Sequence, residues 1–165
     1  MKKILVIGCP GSGKSTFARA LHEITGIPLF HLDLMYWNAD RTTAPKSVFL
    51  ERLSDALAQS TWIIDGNYLS TMEMRMKECD TVIFLDYHTD ICLEGIRQRR
   101  GKARSDMPWI ETEEDEEFIS FVRNFSQNTR PKVQELLGKY SDKNVVVFAE
   151  RTQADEFLKE LQKNT

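Results

Sequence analysis

The sequence has little cysteine, no long apolar run and no strong charge of either sign. Its three cysteines, Cys9, Cys79 and Cys92, are odd in number and far apart. That spacing gives no disulfide framework and no zinc pattern, and it suits a reducing compartment. The three histidines, His22, His31 and His88, show no metal-ligand spacing and read as structural. The first apolar run, Ile4 to Ile7, ends after four residues at Gly8. It is too short for a signal peptide or a membrane span, so a cytoplasmic location is the expectation. A net charge of −3 gives no general reason to expect a nucleic-acid or membrane partner. There is no internal repeat, low-complexity tract or flexible linker, and a monomer or weak dimer is expected.

What the chain does contain is enough apolar residue to fold unaided. It has 41% hydrophobic and 28% charged residues over 165 positions, which fits one domain, residues 1–165, with a small mobile insert. A domain of this size buries roughly 70% of its unfolded surface.

Ile4 to Ile7 reads as a strand buried on both faces. Lys14 to about Thr25 turns helical, with Phe17, Leu21 and Ile24 on one face and Gly26 as the stop. Pro28 to Leu32 is a second strand ending at Asp33, and residues 47–60 repeat Phe49, Leu50, Leu53 and Leu57 at helical spacing. Trp62 to Ile64 and Thr81 to Leu85 are buried strands ending at Asp65 and Asp86; Asn144 to Phe148 is a fifth, before a helix over 153–163. Strands alternating with helices predict an α/β three-layer sandwich around a five-stranded parallel sheet. In such sheets ligands bind beyond the carboxyl ends of the strands, where Asp33, Asp65 and Asp86 should gather.

Residues 97–117 break the alternation, running from a basic cluster through Pro108 into Glu111, Glu113, Glu114, Asp115, Glu116 and Glu117. We read this as a short arginine-rich lid. Thr112 with Asp115 suggests a capping box for a helix carrying Phe118, Phe121, Val122 and Phe125 on one face, interrupted near Pro131.

Gly8-Cys9-Pro10-Gly11-Ser12-Gly13-Lys14-Ser15, followed by Thr16, completes the pattern G-x-x-x-x-G-K-S between a buried strand and a helix. Glycines let the backbone curl so that its N–H groups point at a phosphate, and the helix dipole adds to that field. Lys14 reaches the β- and γ-phosphates of a bound nucleoside triphosphate, and the Ser15 hydroxyl ligates Mg²⁺. Cys9 has two readings, a thiol activated by the helix terminus or a small loop filler, and the second is favoured.

Asp65, immediately after a strand and before Gly66, is the candidate for the Mg²⁺-side aspartate, with Asp86 competing. Asp33 is a candidate general base or acceptor ligand. Tyr36, Trp37 and Tyr68, with Asn67, are candidates for an acceptor pocket; the aromatics equally suit a core. Arg97, Arg99, Arg100, Lys102 and Arg104 crowd one short stretch before Asp106. They read as lid arginines that stabilise charge during transfer, with Arg100 and Arg104 catalytic and Arg97 and Arg100 touching nucleotide. Arg123 and Arg130 either reach back to the site or face solvent.

With these residues in place the chain resembles the adenylate-kinase-like P-loop kinases over most of its length. It is more closely similar to the bacterial DNA topology modulation or adenylate-kinase-related proteins. The match lies in His31-Leu32-Asp33 with Tyr36-Trp37, in Trp62 to Tyr68, in Arg100 to Asp106 and in Glu150-Arg151. The resemblance implies that Asp65, rather than Asp86, orders Mg²⁺ waters and that an arginine near Arg97–Arg100 packs on adenine. It also implies that the segment around Glu150 and Arg151 lies beside the base. Adenylate kinases follow the Asp-Gly pair with Phe-Pro-Arg, whose arginine holds the acceptor phosphate. Here Asn67-Tyr68-Leu69 stands instead, which points to a hydroxyl acceptor without a phosphate handle.

The expected activity is therefore an ATP- and Mg²⁺-dependent phosphotransfer to a small molecule. The alternative is a nucleotide-dependent regulator that binds DNA or a protein, with weak or no ATPase. It needs a basic surface that the net charge does not advertise. A GTPase switch would need an Asn/Thr-Lys-x-Asp motif after a late strand, which is missing.

Overall fold

The computed structural model describes all residues, Met1–Thr165. Five strands, β1 (Lys3–Gly8), β2 (Leu29–His31), β3 (Trp62–Asp65), β4 (Thr81–Leu85) and β5 (Asn144–Phe148), form one sheet in the order β2-β3-β1-β4-β5. Every pairing is parallel, with Leu5 opposite both Ile64 and Val82 at the centre. The α/β sandwich and its five-stranded parallel sheet match the expectation from the sequence.

Alternation along the strands divides the core into two layers. Ile4, Val6, Ile63, Ile83 and Leu85 face one side with Phe17 and Leu21 of α1 (Lys14–Thr25), Cys92 and Ile96 of α5 (Thr89–Arg99), Val122 of α6 (Glu116–Asn128) and Ala154 of α8 (Arg151–Lys163). Leu5, Ile7, Trp62, Ile64, Val82 and Phe84 face the other. They meet Met35 of α2 (Leu32–Tyr36), Leu53 of α3 (Lys46–Leu57), Met72 of α4 (Leu69–Glu78) and Val133 of α7 (Arg130–Lys139). The central strands run apolar through Ile4–Ile7, Trp62–Ile64 and Val82–Leu85 because both of their faces are covered.

Four local features differ from the sequence reading. β2 ends at His31, and Asp33 sits in the first turn of the short helix α2 rather than at the end of a strand. The buried stripe of α6 is Ile119, Val122 and Phe125, while Phe118 and Phe121 lie one notch round the helix and line a cavity. Asp115 alone caps α6, accepting the Phe118 N–H at 3.2 Å. Helix α5 continues to Arg99, so the irregular segment starts at Arg100 and runs to Asp115, shorter at both ends than residues 97–117. The break expected near Pro131 is present: α6 ends at Asn128, and Pro131 falls in the first turn of α7, where its missing N–H costs nothing.

A candidate phosphotransfer site

The glycine-rich loop joins β1 to α1 at the carboxyl edge of the sheet. Gly11 (φ 85°) and Gly13 (φ 91°) are both left-handed, a conformation that bulkier residues adopt only with strain. The loop is braced on three sides. Asn67 bonds both backbone groups of Gly8, its Oδ1 accepting the Gly8 N–H at 3.1 Å while its amide donates to the Gly8 carbonyl. Arg151 donates to the carbonyls of Ser12 (3.1 Å) and Gly11 (3.3 Å), with its guanidinium 5.4 Å above the Tyr87 ring. Helix α5 closes the third side. A methyl group on Gly11 would come within 2.0 Å of the Cys92 carbonyl, and one on Gly95 within 2.0 Å of the Gly11 carbonyl. The Ser12 hydroxyl is buried in the loop with no partner.

Lys14 lies on the wall of a cavity of about 680 Å³, together with Pro10, Asp33, Tyr36, Trp37, Asn67 and Tyr68. Desolvation lowers the Lys14 pKa, and the nearby Asp33 and Asp65 carboxylates oppose that effect. Burial raises the Asp33 pKa, against a hydrogen bond from Tyr68 and the charge of Lys14. The Tyr68 hydroxyl donates to Asp33 Oδ1 at 2.6 Å; burial, then the Asp33 charge, push the phenol up.

Asp65, buried at the end of β3, lies 2.8 Å (Oδ2) from His31 Nδ1. Asp86 is differently placed, gripped by Arg130 through contacts of 2.7, 2.8 and 3.0 Å. The two carboxylates are thus separated by their partners: Asp65 has one oxygen unbonded, whereas both Asp86 oxygens take guanidinium bonds. Ser15 is half-buried at the start of α1, and Thr16 is exposed with its hydroxyl accepting from Arg19 at 3.2 Å.

The arginine cluster pairs with the acids that follow it. Glu111 bridges Arg99 (3.1 Å) and Arg104 (3.2 Å), Asp106 bridges Arg104 (3.3 Å) and Arg19 (3.2 Å), and Arg100 lies 3.6 Å from Glu114. Burial works to raise the Asp106 pKa, but Arg104, His31 and Arg19 outweigh it and hold the carboxyl below its usual range. Arg99 and Arg100 line the cavity and Arg104 stands behind them in the ion-pair chain. Arg97 is exposed, pairs with Glu94 at 3.6 Å and lies outside the cavity wall. Arg123 is exposed.

No protein-family model matches the chain, and no curated protein sequence matches it. Among solved structures it is similar to the shikimate kinase of Bacteroides thetaiotaomicron, with a TM-score of 0.59 and 18% identity over 98% of this chain and 96% of that chain. It is also similar to the shikimate kinase of Acinetobacter baumannii solved in complex with shikimate. There the TM-score is 0.63, with 18% identity over 100% of this chain and 95% of that chain. What is shared is the fold. Both likenesses run nearly end to end, so the whole α/β sandwich is the common element.

Several residues of the site have partners that the sequence does not announce. Asn67, expected at the acceptor, uses its side chain on Gly8. Arg151, expected beside a base, holds the back of the phosphate loop. Arg75 was not singled out: fully buried in α4, it donates to the carbonyls of Gly66 (2.9 Å), Tyr68 (3.0 Å) and Asn67, and so shapes the exit from β3. His31, read as structural, holds Asp65. Cys9 is 4% exposed, and its hydrogen bond with the Cys92 thiol, then burial, push its pKa up, which fits the loop-filler reading.

Proposed function

We propose that the chain is an ATP-dependent phosphotransferase acting on a small hydroxylated acceptor. The observation that carries this reading is the convergence of Lys14, Asp33 and Tyr68 on one cavity, beneath a segment whose arginines reach the same wall. The fold shared with two shikimate kinases supports it.

The residues fit a nucleoside triphosphate with Mg²⁺. Gly8 to Thr16 would cradle the phosphates, the unpartnered Ser12 hydroxyl being one donor already inside the cradle. Ser15 would hold the metal, with Asp65 acting through water, and the bound ion would neutralise charge on the β- and γ-phosphates. Asp65 suits that task better than Asp86, because Arg130 occupies both oxygens of the latter. Lys14, desolvated and therefore strongly attracted to an anion, would follow the γ-phosphoryl group. Asp33 would accept the proton of the attacking hydroxyl, its raised pKa bringing it closer to a useful base strength.

Within residues 1–165, read as one domain, segment 100–115 serves as a lid over the cavity. Arg99, at the end of α5, and Arg100, at the start of the lid, are placed to meet phosphate once exchange with Glu111 and Glu114 releases them. Arg104 acts through Glu111 and Asp106 as a positioning residue. Catalysis then rests on in-line positioning and charge neutralisation in a cavity the lid keeps dry.

The test is acceptor-dependent ADP release, followed by ³¹P NMR of the product, across hydroxylated metabolites with ATP and Mg²⁺. Release that depends on one chemical class establishes the activity. A slow rate that no acceptor changes overturns it in favour of a nucleotide-dependent regulator.

A further inference from the structure

Resting on the phosphotransferase reading, we propose that the acceptor is a hydroxylated amine, bound as a cation, rather than a carboxylate or a phosphate ester.

The argument begins with the wall beside Asp33. Tyr68 packs on Tyr36 at 5.1 Å, Tyr36 on Trp37 at 5.2 Å and Trp37 on Trp109 at 5.8 Å, and all four rings line the cavity. The planes turn by 59°, 87° and 86° from one ring to the next. No two successive rings form parallel plates of the kind that sandwich a flat base. Rings turned on edge to one another form a corner. A corner of aromatic faces suits a compact group, and the negative faces of tyrosine and tryptophan attract an ammonium.

The charges agree with the rings. All but one of the cations on the cavity wall are paired with an acid or assigned to phosphate. Lys14 belongs to the phosphate loop, Arg99 is held by Glu111 and Arg100 by Glu114. Arg41 is exposed at the rim, donating to the Ile110 carbonyl at 3.3 Å with its guanidinium 4.9 Å from the Trp109 ring. When lid arginines are released, they serve the transferring phosphoryl group. An acceptor carboxylate or phosphate would find only Arg41, out at the exposed rim, and would face the unpaired Glu113 and Asp115. Three carboxylates on the same wall stand outside the ion pairs: Asp33, which takes the Tyr68 hydroxyl and faces Lys14, and Glu113 and Asp115, which have no cationic partner. The Trp109 indole N–H is a further observation that points to a ligand, being shielded from solvent with no acceptor in the protein. A hydroxyl or ether oxygen would satisfy it.

In the reaction the acceptor O–H bond breaks and its proton passes to Asp33. The oxygen bonds to the γ-phosphorus and the bond to the bridging oxygen breaks, so ADP leaves. The ammonium takes no part in the chemistry; it lies against Tyr36 and Trp37 and orients the hydroxyl toward Asp33.

The test is a panel with four charge classes on matched scaffolds: glucosamine and choline as amines, glucose and N-acetylglucosamine as neutrals, glucuronate and shikimate as acids, and AMP as a phosphate ester. Acceptor-dependent ADP release is expected with an amine at kcat/KM at least about tenfold above its neutral counterpart, and not with the acids or AMP. Glu113→Gln, an exposed substitution that leaves the fold alone, should lower kcat/KM for the amine several-fold and flatten its salt dependence, with the KM for ATP unchanged. Trp37→Leu should lower it by about tenfold or more. Equal or better turnover of a neutral, acidic or phosphorylated acceptor overturns the amine assignment and leaves the kinase standing. No acceptor-dependent release in any class overturns the kinase reading, and the amine assignment with it.

Discussion

Tyr68 and Asp33, separated by 35 positions in the chain, share a 2.6 Å hydrogen bond in which the phenol donates to the carboxylate. The two arrive from different strand exits, Asp33 from the turn after β2 and Tyr68 from the turn after β3. Their bond places the candidate base at the seam between those exits, facing Lys14.

That bond sets the first prediction. Burial raises the Asp33 pKa and the Tyr68 donor lowers it. Tyr68→Phe removes the lowering influence, so the carboxyl holds its proton to higher pH. A base works only when deprotonated, and the acid limb of the kcat/KM profile should therefore move upward. An unmoved limb would show that Asp33 is not the titrating base. Asp33→Asn should abolish transfer while ATP still binds.

Lys14 pays a desolvation cost in the free protein, visible in its lowered pKa. Lys14→Met keeps the bulk and deletes the charge. Turnover should vanish while the melting temperature holds or rises; a large loss of stability would contradict this. Lys14→Ala should likewise abolish transfer with the fold intact.

Arg75 is a stability residue with a functional consequence. Arg75→Met leaves the carbonyls of Gly66 and Asn67 without a donor, while that of Tyr68 keeps the Thr71 N–H at 3.0 Å. Buried unsatisfied groups of this kind make the expected loss about 3–5 kcal/mol, or roughly 10 °C in Tm for a chain of this size. Thermal unfolding followed by circular dichroism checks it.

Asp65 and Asp86 can be separated by metal titration. Asp65→Asn should raise the Mg²⁺ needed for half-maximal rate by about 10- to 100-fold. Asp86→Asn should leave that requirement alone and cost about 1 kcal/mol of stability, since its partly exposed pair with Arg130 is screened. The reverse pattern would exchange the two assignments.

Glu111 ties Arg99 to Arg104. Glu111→Gln should loosen segment 100–115 and speed tryptic cleavage at Arg100, Lys102 and Arg104, with a non-hydrolysable ATP analogue restoring protection. Cleavage at the unaltered rate would mean that the aromatic contact of Trp37 with Trp109 holds the segment without help from the ion pairs.

The fold was legible because its strongest signals are local. Continuous apolar runs such as Val82 to Leu85 can only be strands covered on both faces, and the loop from Gly8 to Ser15 carries its own spacing. Asp33, Tyr36 and Tyr68 were recognisable as cavity candidates because each follows a strand at the carboxyl edge. The partners were not legible. Asn67 bonds Gly8 across 59 positions, Arg151 reaches Ser12 across 139 and Arg130 reaches Asp86 across 44. Such pairs depend on where crossovers bring distant turns, and no periodicity encodes that. Arg75 was hidden for a related reason: a buried arginine interrupts the apolar stripe of α4 that Met72 and Met76 would otherwise announce. Within the arginine cluster, composition could not say that Arg97 turns outward while Arg99 faces the cavity. That depends on where α5 stops.

The facing glycines Gly11 and Gly95 leave no slack between the phosphate loop and α5, whose last residue is Arg99. Loop and helix must travel as a single lever. A sub-ångström shift at the loop when phosphate arrives would be carried along the helix from Gly95 to the base of segment 100–115, little more than one turn away by the geometry of an α-helix of about 3.6 residues per turn. The fulcrum is two absent methyl groups.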